Sequence, residues 1–331
     1  MPPSHTATST LDARVPPASA VVVPAAAWHA SAAAHAERAD ALTAVWREAH
    51  DSGRRHAIED FLFTYYPTRM TQLHRWHPGP GVVLEVASDD ERLGWRWYRA
   101  ADLPDGEHGV VLDAEAFLAD RGDAVRYVHG LVTATASRPG TFGCFGLHEW
   151  AMVYRDAAAG RDHRHPLPLR LGHAGTDAVV EGHTIGCSHF DAFRFFTPES
   201  RDRNRLRPTR ELQPAMEQPG CLHANMDLYK WATKLGPGVP GDLLLDCFEL
   251  AREIRSTDMA ASPYDVTTYG LAPIAIETVD GKAEYVRRQR DHALRSNALR
   301  HRILDVCRHI TPVQRRGHAG AGGGSHAGIR V

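Results

Sequence analysis

Four stretches of the chain set acids, bases and soft ligands beside aromatic side chains. In Gly143-Cys144-Phe145-Gly146-Leu147-His148-Glu149-Trp150 an imidazole and a carboxylate are adjacent, directly after glycines, where a helix is expected to start. A helix N-terminus favours negative charge, so Glu149 is a candidate catalytic acid or base with His148 as its partner. The segment is not a His-Glu-x-x-His zinc helix, because Met152 stands where the second histidine would be. The plain alternative is a capping glutamate next to a structural histidine.

The second stretch is His183-Thr184-Ile185-Gly186-Cys187-Ser188-His189-Phe190-Asp191. Read as extended chain, it turns His183, Cys187, His189 and Asp191 to one face. All four are metal-ligand types, and His189 with Asp191 also makes an acid–base pair. The third is Cys221-Leu222-His223-Ala224-Asn225-Met226-Asp227-Leu228-Tyr229-Lys230-Trp231. On a helix, His223, Asp227 and Lys230 form one stripe. A polar stripe is ordinarily a solvated ion pair. Here Asn225, Tyr229 and Trp231 lie alongside, which fits a wet pocket inside a helical core. The fourth joins residues 61–69 to His74-Arg75-Trp76-His77. Tyr65, Tyr66 and Trp76 are candidates for a stacking wall, Arg69 or Arg75 for holding an anion, and His77 for a substrate contact. Core filling is the commoner fate of such aromatics.

These residues define two expectations. A Zn or Fe ion is expected on His148, His189, Asp191 and His223, with Cys221 nearby, activating water or oxygen. His148, Glu149, His189, Asp191, His223 and Asp227 are expected to line one cavity. A carboxylate-bridged metal bundle on Asp246, Glu249 and Glu253 is not expected, since no Glu-x-x-His accompanies them.

The elements that must position these groups read as mainly α with a minor β-sheet, in a single globular domain with a helical core. Helices are expected over 26–50, 57–66, 125–136, 145–154, 222–235, 242–261 and 283–308. Strands are expected over 82–86, 95–98, 110–112, 167–171, 178–185 and 273–277. Residues 1–24, rich in Pro, Ala, Ser and Thr, read as a disordered lead. Residues 25–311 read as the catalytic domain and 312–331 as a flexible Gly-rich tail.

Composition narrows the field. The chain has 331 residues, with 38 Lys+Arg against 40 Asp+Glu, so a broadly basic nucleic-acid coat is excluded. Only Lys230, Lys234 and Lys282 are lysines, and the other 35 cations are arginines. Five cysteines without a CxxC fit a reducing compartment, so the expected location is the cytoplasm. No apolar run reaches the ~18 residues of a spanning helix, so no membrane is expected. P-loop, dinucleotide-fingerprint, nucleophile-elbow and zinc-finger patterns are absent from the sequence.

Long strings resemble a bacterial family labelled 3-methyladenine DNA glycosylase. They include Ile58-Glu59-Asp60-Phe61-Leu62-Phe63-Thr64-Tyr65-Tyr66, Arg75-Trp76-His77-Pro78-Gly79, and residues 142–155, 187–198, 218–231 and 247–265. The resemblance implies a hydrolase of DNA repair that releases an alkylated purine. Such a reaction needs a carboxylate to activate water or support the oxocarbenium ion, and aromatic faces to hold the extruded base. Glu149, Asp191 or Asp227 would supply the first. Trp150, Tyr65, Tyr66 and Trp231 would supply the second. Damaged DNA would meet Arg287, Arg288, Arg290 and Arg295. The helix-hairpin-helix of better-understood helical glycosylases has no counterpart in the sequence. A metal-dependent enzyme acting on a small molecule is the alternative, and a non-catalytic binding protein is a third reading.

Overall fold

The computed structural model describes residues 20–66, 68–104, 106–161 and 167–311. Most of the expected lead and all of the expected tail lie outside these. The first half of the chain carries the sheet. Strand β1 (Val21–Val23) precedes helix α1 (Ala25–Asp51), which Pro24 opens. Two short helices, α2 (Asp60–Thr64) and α3 (Met70–His74), lead into β2 (Val82–Val86), β3 (Tyr98–Asp102) and β4 (His108–Leu112). The sheet order is β1-β2-β4-β3. β1 runs parallel to β2 with Val21 opposite Val82, and β4 pairs antiparallel with both β2 and β3. Residues 21–23, expected in the lead, are therefore an edge strand.

Helices dominate the rest. α4 (Ala114–Ala136) is followed by α5 (Leu147–Ala151), α6 (Gly172–Glu181), α7 (Phe190–Phe193), α8 (Pro198–Arg201) and α9 (Gln213–Met216). The long helices α10 (Leu222–Lys234), α11 (Gly241–Ala260) and α12 (Val279–Ile310) close the fold and pack on one another. One apolar core runs from Ala39 on α1 to Ile310 on α12. The chain is thus mainly α with a minor sheet. Among the described residues, no helix is long and apolar enough to cross a membrane.

Several expected strands take other forms. The 167–185 region forms helix α6, with only two isolated bridges, Leu169 to Tyr264 and Ile185 to Asn204. Its Ala-Val-Val run reads as strand locally. In the fold, Val179 and Val180 meet the core on consecutive helical positions, and Thr176 bonds back to Gly172 O. Residues 273–277 form no strand, although Ile274 N bonds Ala260 O at 2.7 Å. The strand expected at 95–98 starts only at Tyr98, because Asp90 caps a 3₁₀ turn over Glu91–Gly94. α4 begins before residue 125, where Asp113 Oδ1 accepts from Ala116 N.

The acidic residues of α11 are committed to partners. Arg38 reaches Asp246 and Glu249, Arg302 reaches Asp242 and Asp246, and Arg295 reaches Glu253. Each pair is partly exposed and worth at most about 1 kcal/mol, but together they register α1 and α12 on α11.

His77 leaves a mark on acid stability. It is hydrogen-bonded with Tyr98 OH at 2.8 Å, and burial, helped by Arg75 and Arg92, lowers its pKa to about 3. Below about pH 6.5 the unfolded chain takes up a proton that the folded one refuses. His77 therefore stabilises fully above that pH and loses its contribution as pH falls toward 3, at up to about 1.4 kcal/mol per pH unit. Urea unfolding of His77→Gln between pH 7 and 4 is expected to show a shallower loss than the parent protein. Parallel curves would assign the acid sensitivity to other groups.

Candidate functional site

α10 delivers the largest share of the site. His223, Asp227 and Lys230 share one face, as expected, with His223 and Asp227 buried in the helical core and Lys230 half-buried at its edge. The helix is entered through Pro219-Gly220-Cys221, and this turn is tightly held. Gln218 Oε1 accepts from Gly220 N at 2.7 Å and from Thr141 N at 2.8 Å. A Cβ on Gly220 would stand 2.2 Å from Thr141 O, so only glycine fits. Asn225 donates to Pro219 O and accepts from Arg300, so it braces the turn. α5 brings His148 and Glu149, both buried, behind the left-handed residues Phe145 and Gly146. α11 brings Arg255 and Asp258, and the loop after α9 brings Glu217.

Two triads result. In the first, the ligand atoms of His148, His223 and Asp258 lie within 4.8 Å of one another, all buried. His148 Nε2 and Asp258 Oδ1 form an ion pair at 2.9 Å, and neither atom has a further hydrogen-bond partner among the described residues. The His223 ring is edge-on to His148 at 4.5 Å between centroids. Burial opposes the His148 imidazolium, but the Asp258 carboxylate outweighs it and raises His148 well above its ordinary pKa. Burial also penalises the Asp258 charge, and His148 outweighs that, holding the carboxyl well below its usual range. His223 is held neutral by burial and by the charge of His148.

The second triad is His189, Glu217 and Asp227. His189 Nε2 lies 3.4 Å from Glu217 and 3.5 Å from Asp227. Burial opposes its charge, yet the two carboxylates raise its pKa to about 9. These acids hold neutral partners as well as charged ones, whereas Asp258, among the described residues, has only His148 and Arg255. Tyr66 OH donates to Asp227 Oδ1 at 2.9 Å, Lys230 reaches Asp227 Oδ2 at 3.1 Å, and Gln213 donates to Glu217. Against the cost of burial, His189, Lys230 and Tyr66 bring Asp227 down to about 2. His189 and His223 rings stack at 5.3 Å and join the triads.

A cavity of about 20 Å³ touches the first triad, lined by His148, His223, Cys144, Cys187, Cys221 and Gln289 among others. That is room for one water or one ion. Its rim includes exposed Thr141 and half-buried Gly186 and Gln218. Burial pushes Cys187 and Cys221 up, so both remain thiols.

Of the six groups expected to line one cavity, only His148 and His223 line this one; the others connect to it through the two triads, Arg255 or Lys230. His148, His189, His223 and Asp227 belong to the triads, and Glu149 connects through Arg255, which reaches Glu149 at 3.0 Å and Asp258 at 3.4 Å. Asp191, expected as a metal ligand, stands outside both triads. Lys230 at 3.2 Å and Arg194 at 3.2 Å take its carboxylate, because α7 begins at Phe190 and turns Asp191 away from His189. His183 also leaves the expected face, bonding Val179 O at 2.6 Å.

The expected substrate contacts divide. Tyr65 packs against Tyr66 near Asp191 and Asp227. Tyr229 meets Tyr66 edge-on, and its hydroxyl is buried beside Thr68. Trp231 lies under Lys230 at 4.8 Å. Trp150 is a core residue that donates to Ala261 O. Arg69 is exposed at the start of α3, and His77 lines a different cavity. Of the expected DNA contacts, Glu284 pairs with Arg287 and Arg288, and Glu253 and Asp291 pair with Arg295. Arg290 lies over Phe142.

Asp258, Glu217 and Arg255 were not anticipated. Asp258 had a signal, since it falls on the same helical stripe as Cys247, Leu250 and Ile254, all buried. A carboxylate in an apolar stripe is costly unless paired. Glu217 sits in a loop without periodicity and had none. No protein-family model, curated protein or solved structure matches the chain.

Proposed function

We propose that this protein is a metal-dependent enzyme acting on a small molecule, with one divalent transition metal held by His148, His223 and Asp258. The observation that carries this reading is a buried two-imidazole, one-carboxylate set whose ligand atoms all lie within 4.8 Å of one another beside a cavity the size of one ion. Two histidines and one carboxylate are the donor set of non-haem Fe(II) and of catalytic zinc sites that keep open positions. When bound, such an ion supplies an activated water or a site for oxygen. The chain's own groups supply the rest. Arg255 orients Asp258 from behind, a second partner of the kind that tunes metal-bound carboxylates. His189, protonated at neutral pH, is the acid beside the centre, and its proton is held by Asp227 and Glu217. The acids of the second triad are already occupied by Lys230, Tyr66 and Gln213, which favours the first triad for the ion.

Elemental analysis of protein purified without chelator is expected to give about one Fe or Zn per chain, and chelator-stripped protein is expected to rebind one. Less than a tenth of an equivalent, with no rebinding, would overturn the proposal. A DNA glycosylase remains the second reading. Its favouring observation is Asp191, a partly accessible carboxylate beside Tyr65, flanked by Arg194 and by Arg210 over Phe190. Release of free 3-methyladenine from alkylated DNA by metal-free protein would establish that reading instead.

A further inference from the structure

A second cavity, of about 390 Å³, lies where β3, α3, α4 and the end of α10 meet. That volume is within the range of small-molecule sites, about 300–1,000 Å³. Trp95, Trp97 and Phe117 give it aromatic walls, while Arg75, Arg121 and Lys234 give it positive charge. None of its lining residues is acidic.

The cations differ in how they are used. Arg96, also at the cavity, is taken by Asp120 at 2.6 Å, and Arg121 reaches Lys234 O at 3.3 Å. Lys234 has no ion pair with a described residue. Arg75 has none either, and its guanidinium stacks 4.5 Å over the Trp95 ring. Two cations without a counter-charge therefore converge on one hollow. A dianion would complete them, and a guanidinium recognises phosphate in particular.

Trp97 adds an independent observation. Its φ of 63° is left-handed, a conformation that bulky residues rarely adopt. The strain is held in place by Asp113 N, which donates to Trp97 O at 2.7 Å, and by edge-on packing on Phe117 at 5.1 Å. Such strain persists where the surroundings impose it, and it concentrates at ligand sites. Here it sets an indole into the cavity wall, with Arg96 4.4 Å over the ring; a nucleobase would stack in that guanidinium's place or on the opposite face.

We infer that this cavity binds a nucleoside phosphate, the base against the Trp95–Trp97 wall and the phosphate between Arg75 and Lys234. The inference is independent of the metal centre. The test is quenching of tryptophan fluorescence in the full chain, with EDTA present, by AMP, GMP, CMP and UMP, by adenosine, and by inorganic phosphate. At least one nucleotide is expected to bind saturably, with adenosine and phosphate about tenfold weaker or more. Lys234→Ala and Arg75→Ala are each expected to weaken nucleotide binding about tenfold. Both side chains are exposed, so the variants are expected to fold. Trp97→Gly should relieve the strained backbone yet lose the stacking wall. Absence of saturable binding by every nucleotide, or equal binding by the Lys234→Ala and Arg75→Ala variants, would overturn the inference. His223→Ala is expected to leave it unchanged.

Discussion

Asp258→Asn is expected to yield a folded protein that does not hold the metal proposed for the His148–His223–Asp258 triad. The amide keeps the shape of the carboxylate, so packing on α11 survives, but the negative charge that balances an ion and the His148 imidazolium is gone. Loss of a charged ligand in a closed site costs at least about 100-fold in metal affinity, the upper end of what even an indirect partner contributes. Asp258→Leu should do more. Removing one member of a buried pair strands the other, and about 3–5 kcal/mol of stability is at stake. Metal content and thermal unfolding of the two variants separate the effects. If Asp258→Asn keeps a full equivalent of metal, the ligand set is wrong.

Gly220→Ala is expected to damage the site without touching any ligand. The new methyl would sit 2.2 Å from Thr141 O and 2.9 Å from Thr141 C, and both are backbone atoms that cannot rotate away. The 218–221 turn must then shift, dragging Glu217 on one side and His223 on the other. Overpacking of this kind costs about 1–3 kcal/mol. The loss of metal affinity should exceed what the fall in stability explains. A Gly281→Ala control, whose methyl would clash with Ala275 O at 2.0 Å away from the site, should lower stability while metal content holds. Equal metal loss in both variants would reduce the Gly220 effect to general unfolding.

The long helices were legible because their apolar periodicity and their stops agree. The expected spans 26–50, 222–235, 242–261 and 283–308 match α1, α10, α11 and α12 to within about four residues, whereas the first half of α4 was missed. The His223–Asp227–Lys230 stripe was legible for the same reason, and its inward direction was read from the Asn225, Tyr229 and Trp231 beside it, not from the spacing. Spacing says which residues share a face, not whether that face meets water. α6 was misread because Ala-Val-Val is compatible with either period over so short a window. His189 and Asp191 were placed on one face by assuming extended chain, and one turn of helix at Phe190 parted them. Glu217 had to await the fold, because a residue in an irregular loop reaches its partners through distant contacts alone.

Lys230 joins Asp191 on α7 to Asp227 on α10, at 3.2 and 3.1 Å. Of 38 basic side chains in this protein, only three are lysines. Guanidinium groups also bridge two acids here, as Arg38, Arg302 and Arg255 do, but an ammonium is a compact point charge where a guanidinium is a flat fork. Where nearly every positive charge is written as arginine, this position uses the smaller ion. Amine-directed reagents therefore meet exposed Lys234 first, while Lys230, half-buried and held between two acids, reacts only when that bridge opens.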